Sequence, residues 1–495
     1  MGYNRDMQAY ANAHRSMVVK NNTISDELYR EYDVKRGLRD INGKGVVTGL
    51  TNISEICAFR EEDGERVPCD GQLWYRGYNI RDLVKQYSQS RFGYEKLAYL
   101  LVFGELPDEM DSGEFIEMLA SARELPTNFT RDVIMKAPTR DIMNSMTRSI
   151  LTLASYDNRA QDTDVRNVIR QCLNLIAVFP MLAIYAYHAY NHYENLESMY
   201  IHRPEDHLST AENVLLMLRP DKDFSPVEAR VLDACLMLHM EHGGGNNSTF
   251  TTRVVTSSGS DTYATIAAAM SSLKGPRHGG ANIKVIEMMD NIRSNISDWK
   301  DDAEVRNYLE KILQGNAFDR AGLIYGFGHA VYSISDPRER IFKAFVSQLA
   351  AEKGMLDELG LYEKVEKLAP ELPQSGISTR ASARMWTSTA DSSTGCSAYP
   401  WNCIRRSLRL RGLQAGVRTG SKSLSVWEKS SVPLMCRLWK NSSHRLVPNE
   451  PCCEKNPRGD PRGFFDSYSS LPLQRIDYLD CRSAMYFPFF STSSL

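Results

Sequence analysis

The sequence predicts a predominantly α-helical protein with a small β segment near its N-terminus, and three observations carry that reading. Apolar residues recur at helical spacing in successive windows, strand-like alternation is confined to the early part of the chain, and the helix stops are marked by glycine and proline. The strand-like segments are residues 46–50 and 72–75, with the charged turn EEDGER at 61–66 between them. Helical periodicity then runs through residues 112–122, 164–178, 209–218, 226–240, 261–273 and 282–292. Lys274, Gly275 and Pro276 close one of these helices with the glycine-then-proline order expected past a C-terminus. The most apolar stretch, residues 173–187, is interrupted by Asn174 and Pro180 and falls short of the roughly 20 residues a bilayer requires. It reads as a buried helix, so no membrane partner is expected.

A chain of 495 residues has room for two or three domains and a large core. Its formal net charge of -2 hides a division. From Pro373 onward there are 17 Lys and Arg against 8 Asp and Glu, out of 59 and 61 in the whole chain, so the front is acidic and the tail basic. An acidic front gives no footprint for nucleic acid. Cysteine divides in the same way: Cys57, Cys69, Cys172 and Cys235 are scattered through the front, and the other six crowd the last quarter. No pair in the front has metal-ligand or disulfide-framework spacing. The first twenty residues lack a basic start followed by an apolar run, so a reducing, cytoplasmic setting is expected.

Three histidine-bearing loops hold the candidate chemistry. In LHMEHGGGNNSTFTTR, an amphipathic helix from Pro226 delivers His239 and His242 to its end, where Gly243, Gly244 and Gly245 break it. A zinc site would need a nearby third ligand that HxxH alone does not supply, and plain helix capping is the structural alternative. In LKGPRHGGAN, His278 precedes two glycines and a helix start. The positive end of a helix disfavours protonation, so a neutral ring could donate a hydrogen bond to a developing oxyanion or enolate; the alternative is a histidine satisfying a tight turn. In YGFGHAVYSISDPRER, Gly326 and Gly328 permit close backbone approach, His329 follows at once, and Arg338 offers a fork for a carboxylate. GxGH lacks the third glycine and the strand-to-helix setting of a dinucleotide fingerprint, and by itself suits an ordinary glycine-rich turn.

Taken in order, WYRGYNIRDL at Trp74, KLAYLLVFGELP at Lys96, HGGGNNST at His242, KGPRHGGAN at Lys274 and GFGHAVYSISDPR at Gly326 resemble the citrate synthase family, from about Leu28 to Leu372. The resemblance implies a two-domain, almost wholly helical homodimer that closes over oxaloacetate and acetyl-CoA. It places a large domain at 1–273 and a small domain at 274–372. It gives His278 the enol of acetyl-CoA and His329 the ketone of oxaloacetate, assigns His242 and Arg338 to oxaloacetate, and lays the backbone of Gly326, Phe327 and Gly328 against coenzyme A. It implies neither metal nor cofactor, acetyl-CoA being a substrate. On this reading the side chains of His242, His278 and His329 converge on one cleft, within about 15 Å of each other. A close variant of the family, 2-methylcitrate synthase, uses the same machinery on propionyl-CoA.

The family takes the methyl proton with an aspartate in a later motif of the form NVDFYSG, which is absent here, as are segments resembling GWSAHRIEE and RPAY. After Leu372 the chain instead becomes serine-rich and loses helical periodicity. Codon arithmetic accounts for the absence. Met385 and Trp386 each have a single codon, and with the ACN of Thr387 they regroup out of frame as GTG and GAC, which spell Val-Asp. The neighbouring codons permit NVDFYSGF around that forced pair. The same shift permits AGWSAHRIEE over residues 414–423 and GKVIRPAY over 426–435. Three family motifs thus emerge in their proper order from one constant shift. Residues 373–495 therefore read as an out-of-frame tail, with little apolar face to bury and an irregular or disordered conformation expected. Two functional classes are open: an enzyme of citrate synthase ancestry, and a non-functional frameshift product.

Overall fold

The computed structural model describes residues 25–33, 51–62, 65–243, 246–275, 281–327, 332 and 334–372. The tail that the sequence predicts to be irregular, and the strand expected at 46–50, lie outside the described residues. Past a short helix α1 (Asp26–Glu31), the strands β1 (Ser54–Glu62), β2 (Glu65–Tyr75) and β3 (Tyr78–Asn79) form one antiparallel sheet in the order β1-β2-β3. β2 contains the strand expected at 72–75, and the charged stretch 61–66 includes the paired ends of β1 and β2, where Glu62 lies opposite Glu65. The sequence reading missed β1 because SEICAFREE offers little apolar alternation; its pairing with β2 supplies what local pattern lacks. The register slips between Cys57, opposite Gln72, and Phe59, opposite Pro68, so two extra residues of β2 bulge out there.

Helices make up most of the described chain after β3: α2 (Ile80–Tyr87), α3 (Gly93–Phe103), α4 (Glu109–Ser121), α5 (Ile142–Leu153), α6 (Val165–Glu194), α7 (Thr210–Leu218), α8 (Pro226–His239), α9 (Asn247–Ser257), α10 (Thr262–Leu273), α11 (Ala281–Asn295), α12 (Asp302–Leu313), α13 (Pro337–Glu352) and α14 (Leu356–Leu368). Their starts are written in the sequence, since Asn79, Asp108, Asp141, Asp164, Ser209, Ser225, Asn246, Asp261, Asp301 and Asp336 each cap one with a side-chain oxygen. All six windows of helical periodicity coincide with helices.

α6 corrects one detail. Asn174 and Pro180 do not break it, and it runs for 30 residues, long and apolar enough by length and composition to cross a membrane. Yet 83% of its most apolar window is buried inside the protein. A helix apolar on every face belongs in a core, and that packing tolerates the backbone hydrogen bond that Pro180 cannot donate.

α8 is the second buried helix, with every side chain from Val231 to Leu238 inside. A reciprocal capping box between Ser225 and Glu228, with Pro226 in the first turn, fixes its start. Glu228 is also gripped by Arg219 through two hydrogen bonds of 2.9 and 2.6 Å and by Lys353, past the end of α13, at 2.8 Å. Burial works against the Glu228 charge, but these partners outweigh it and hold the carboxyl down at about 2. α8 is thereby anchored to α13 at one end while its other end reaches His242.

Candidate active site

The turn after α8 is fixed from outside by the hairpin. The Tyr75 hydroxyl, fully buried, lies 3.3, 3.2 and 3.0 Å from the carbonyls of Met237, Leu238 and Glu241, and the Glu241 amide donates to it at 3.2 Å. Burial, the largest influence, pushes the Tyr75 phenol well above its ordinary range, so it stays a donor. Ser54 completes the clamp, donating to the Glu241 carboxylate at 3.0 Å and accepting from the Gly243 amide at 3.1 Å. Gly243 has φ +80, and a Cβ there would sit 2.6 Å from the Ile56 side chain, so position 243 requires glycine. His242 is held between these anchors, with its ring edge-to-face on Tyr332 at 5.3 Å.

The same tyrosine joins the start of α13 to the hairpin. Tyr332 is buried, and its hydroxyl donates to the Gln72 carbonyl at 3.3 Å. A Cβ at Gly71 would meet the Ser335 carbonyl at 2.1 Å, so only glycine permits this approach. Asp336 caps α13 and accepts two hydrogen bonds from the Arg338 guanidinium, from Nε at 3.0 Å and Nη2 at 2.6 Å. Both side chains are buried. Burial opposes the Arg338 charge, but Asp336 outweighs it and raises the guanidinium's proton affinity further. Arg338 is a fixed cation whose plane Asp336 sets.

Two of the expected site residues lie near Tyr332: the His242 ring packs on it, and the Arg338 charge acts on its phenol. Gly326 takes φ +96, a conformation that suits glycine, and Phe327 packs against the core. Their loop is anchored to α11: the Tyr325 amide points at the Met288 sulfur at 3.3 Å, and Asp319 receives both the Tyr325 hydroxyl at 2.8 Å and Lys284 at 3.1 Å. His278, His329 and Gly328, and with them the expected convergence of the three histidines, lie outside the described residues. His239 is buried, and its Nδ1 hydrogen-bonds the Cys235 carbonyl one turn back at 2.9 Å. No group of three or more His, Cys, Asp or Glu suited to a metal occurs among the described residues.

Sequence reasoning missed the second layer of this site. Tyr75, Ser54, Glu241 and Tyr332 act through contacts that no local pattern announces, whereas Asp336, followed by proline and two residues before Arg338, is a local helix-start signal.

Next to Arg338, burial and then the negative charge of Glu366 push Glu339 up to about 7. In an unfolded chain this carboxyl titrates near 4.3. Its folded value is higher, so the stability linked to it is present at low pH and lost as pH rises through that window. Glu339→Gln is therefore expected to be more stable than wild type at pH 8, by about 1–2 kcal/mol for this partly exposed side chain, and no more stable at pH 4. Urea denaturation at the two pH values checks this.

The sequence matches the family described as citrate synthase, C-terminal domain, over residues 39–389. The chain belongs to the citrate synthase family. Among relatives of this family, the citrate synthase of Synechocystis is 34% identical over 310 residues, covering 62% of this chain and 72% of the relative. A 2-methylcitrate synthase of Shewanella oneidensis is 32% identical, covering 57% and 68%. Among solved structures, the ternary complex of citrate synthase from Thermoplasma acidophilum with carboxymethyl coenzyme A and oxaloacetate aligns with a TM-score of 0.61 at 22% identity, over 84% of this chain and 96% of that one. At that identity the likeness carries the fold. The mostly helical architecture with its small early sheet is thus that of a citrate synthase, and the chain is one by ancestry, an acyltransferase family.

Proposed function

We propose that the site is built to condense acetyl-CoA with oxaloacetate, giving citrate and free coenzyme A. The observation that carries this is a permanently charged, buried Arg338, oriented by Asp336 and near enough to act electrostatically on the tyrosine that packs against His242: a preset clamp for a dicarboxylate within a family-matched tract. In this reading His242 and Arg338 bind oxaloacetate, His329 polarises its ketone, and His278 donates to the enol of acetyl-CoA. The backbone at Gly326, Phe327 and Gly328 lies against coenzyme A. The working unit is a cytoplasmic homodimer of two-domain subunits, divided after Leu273, without nucleic acid or membrane partners.

We further propose that this chain is inactive as written, because its frame changes near codon 372 and residues 373–495 replace the tract carrying the catalytic aspartate. In support, the family match runs little past Leu372, ending at residue 389 of 495, and 28% of the Synechocystis relative lies outside its alignment with this chain.

Relatives named 2-methylcitrate synthase favour a second reading with propionyl-CoA as the acyl donor. Thiol release by a frame-restored polypeptide, with oxaloacetate and each acyl-CoA in turn, separates the two. A kcat/KM at least about tenfold higher for acetyl-CoA is expected, the worth of one methylene in an apolar pocket. A preference for propionyl-CoA would reverse the assignment.

A further inference from the structure

Cys57 and Cys69 are twelve residues apart, a spacing that suggested no pairing, yet the hairpin brings their sulfurs to 3.8 Å. Cys57 lies on β1 opposite Gln72, and Cys69 lies in the bulged stretch of β2 that faces it. Both are half-buried, whereas Cys172 and Cys235 are buried in the core. The Cys57 thiol donates to the Phe59 carbonyl at 3.1 Å and stands as the partner of the Cys69 thiol. A metal would need further ligands, and no group of three or more candidates occurs among the described residues. The bulge is the part of the sheet that can shift as the sulfurs close to a bonding distance of about 2.05 Å.

The three residues after Cys69 tie the pair to the candidate site. Asp70 accepts from the Ser335 hydroxyl at 3.0 Å and from Arg340 at 3.2 and 3.3 Å; Gly71 touches the Ser335 carbonyl; Gln72 accepts from Tyr332. The bulge therefore grips, residue by residue, the segment that carries Tyr332 and Arg338.

We propose that Cys57 and Cys69 form a redox-active dithiol that closes to a disulfide by exchange with a low-molecular-weight disulfide, stiffening the hairpin where it holds the start of α13. In the first step the Cys57 thiolate attacks one sulfur of, for example, oxidised glutathione. One glutathione leaves as a thiolate and takes up the Cys57 proton. The Cys69 thiolate then attacks the Cys57 sulfur of the mixed disulfide, and the second glutathione leaves with the Cys69 proton. Two protein thiols are oxidised and one small disulfide is reduced to two thiols. Burial and the hydrogen bond to Cys57 raise the Cys69 thiol above its ordinary range, so closure quickens as pH rises.

The test equilibrates the full-length chain in glutathione redox buffers, blocks remaining thiols, and maps tryptic peptides without reduction. Cleavage at Arg60 and Arg66 separates the two cysteines onto peptides 45–60 and 67–76. The expected product is these two peptides joined and two hydrogens lighter, released by dithiothreitol, with Cys172 and Cys235 still reduced. In Cys69→Ser, which lacks the resolving thiol, Cys57 should accumulate as a glutathione mixed disulfide. Amide exchange across 54–75 and 334–345 should slow on oxidation. Two results overturn the proposal: Cys57 and Cys69 both remaining blockable in the most oxidising buffer, or Cys57 pairing with a cysteine of the tail such as Cys396. Unchanged exchange in the linked protein overturns the proposed coupling to α13.

Discussion

Arg338→Ala is expected to lower the stability of the folded chain by about 3–5 kcal/mol, which is the cost of leaving the buried Asp336 carboxylate without its partner. The loss comes from the uncompensated charge rather than from the worth of the pair. Asp336 also caps α13 and accepts the Arg338 amide at 2.9 Å, so its desolvation falls on a helix start that cannot move away from it. Arg338→Lys keeps a cation but not the two-point geometry, and a smaller loss is expected. Urea denaturation of both variants beside wild type makes the measurement. An Arg338→Ala loss below about 1 kcal/mol, the range of an exposed pair, would contradict the buried clamp. Because the same guanidinium is proposed to receive a substrate carboxylate, its role in binding should be read from Arg338→Lys, which leaves the fold better supported.

The helices were legible because a periodic apolar face is a local property. α6, α7, α8 and α10 begin at Asp164, Ser209, Ser225 and Asp261, residues whose oxygens cap them without help from distant parts of the chain. Pro180 misled for the converse reason: its local meaning is a break, but a helix enclosed on every side by core packing continues through it. β1 was invisible because its stability resides in its partner strand, and its sequence is polar and charged at most positions.

The candidate site was legible only at its chemistry-bearing residues. The motifs exposed His242 and Arg338, but nothing local could show that Tyr75 braces the turn at Glu241 or that Ser54 holds the Gly243 amide, contacts that span 166 and 189 residues. The Cys57 and Cys69 pair failed to show for a related reason, since a register slip in the hairpin, not their spacing, brings them together.

Thiol release from acetyl-CoA in the presence of oxaloacetate, by this chain and by a polypeptide with the frame restored near codon 372, tests the proposed change of frame. General-base catalysis contributes about 10² to 10⁴ in rate, so on the proposed change of frame the loss of the aspartate alone is expected to cost that much. The surviving histidines cannot replace the aspartate. On the proposed roles, His278 must be neutral and donating to the enol, and His329 is committed to the ketone, so neither can take the methyl proton. The expected result is activity in the restored polypeptide alone, at least about 10² above the chain as written, and falling sharply in its His278→Ala variant. Comparable rates from the two polypeptides would contradict the account.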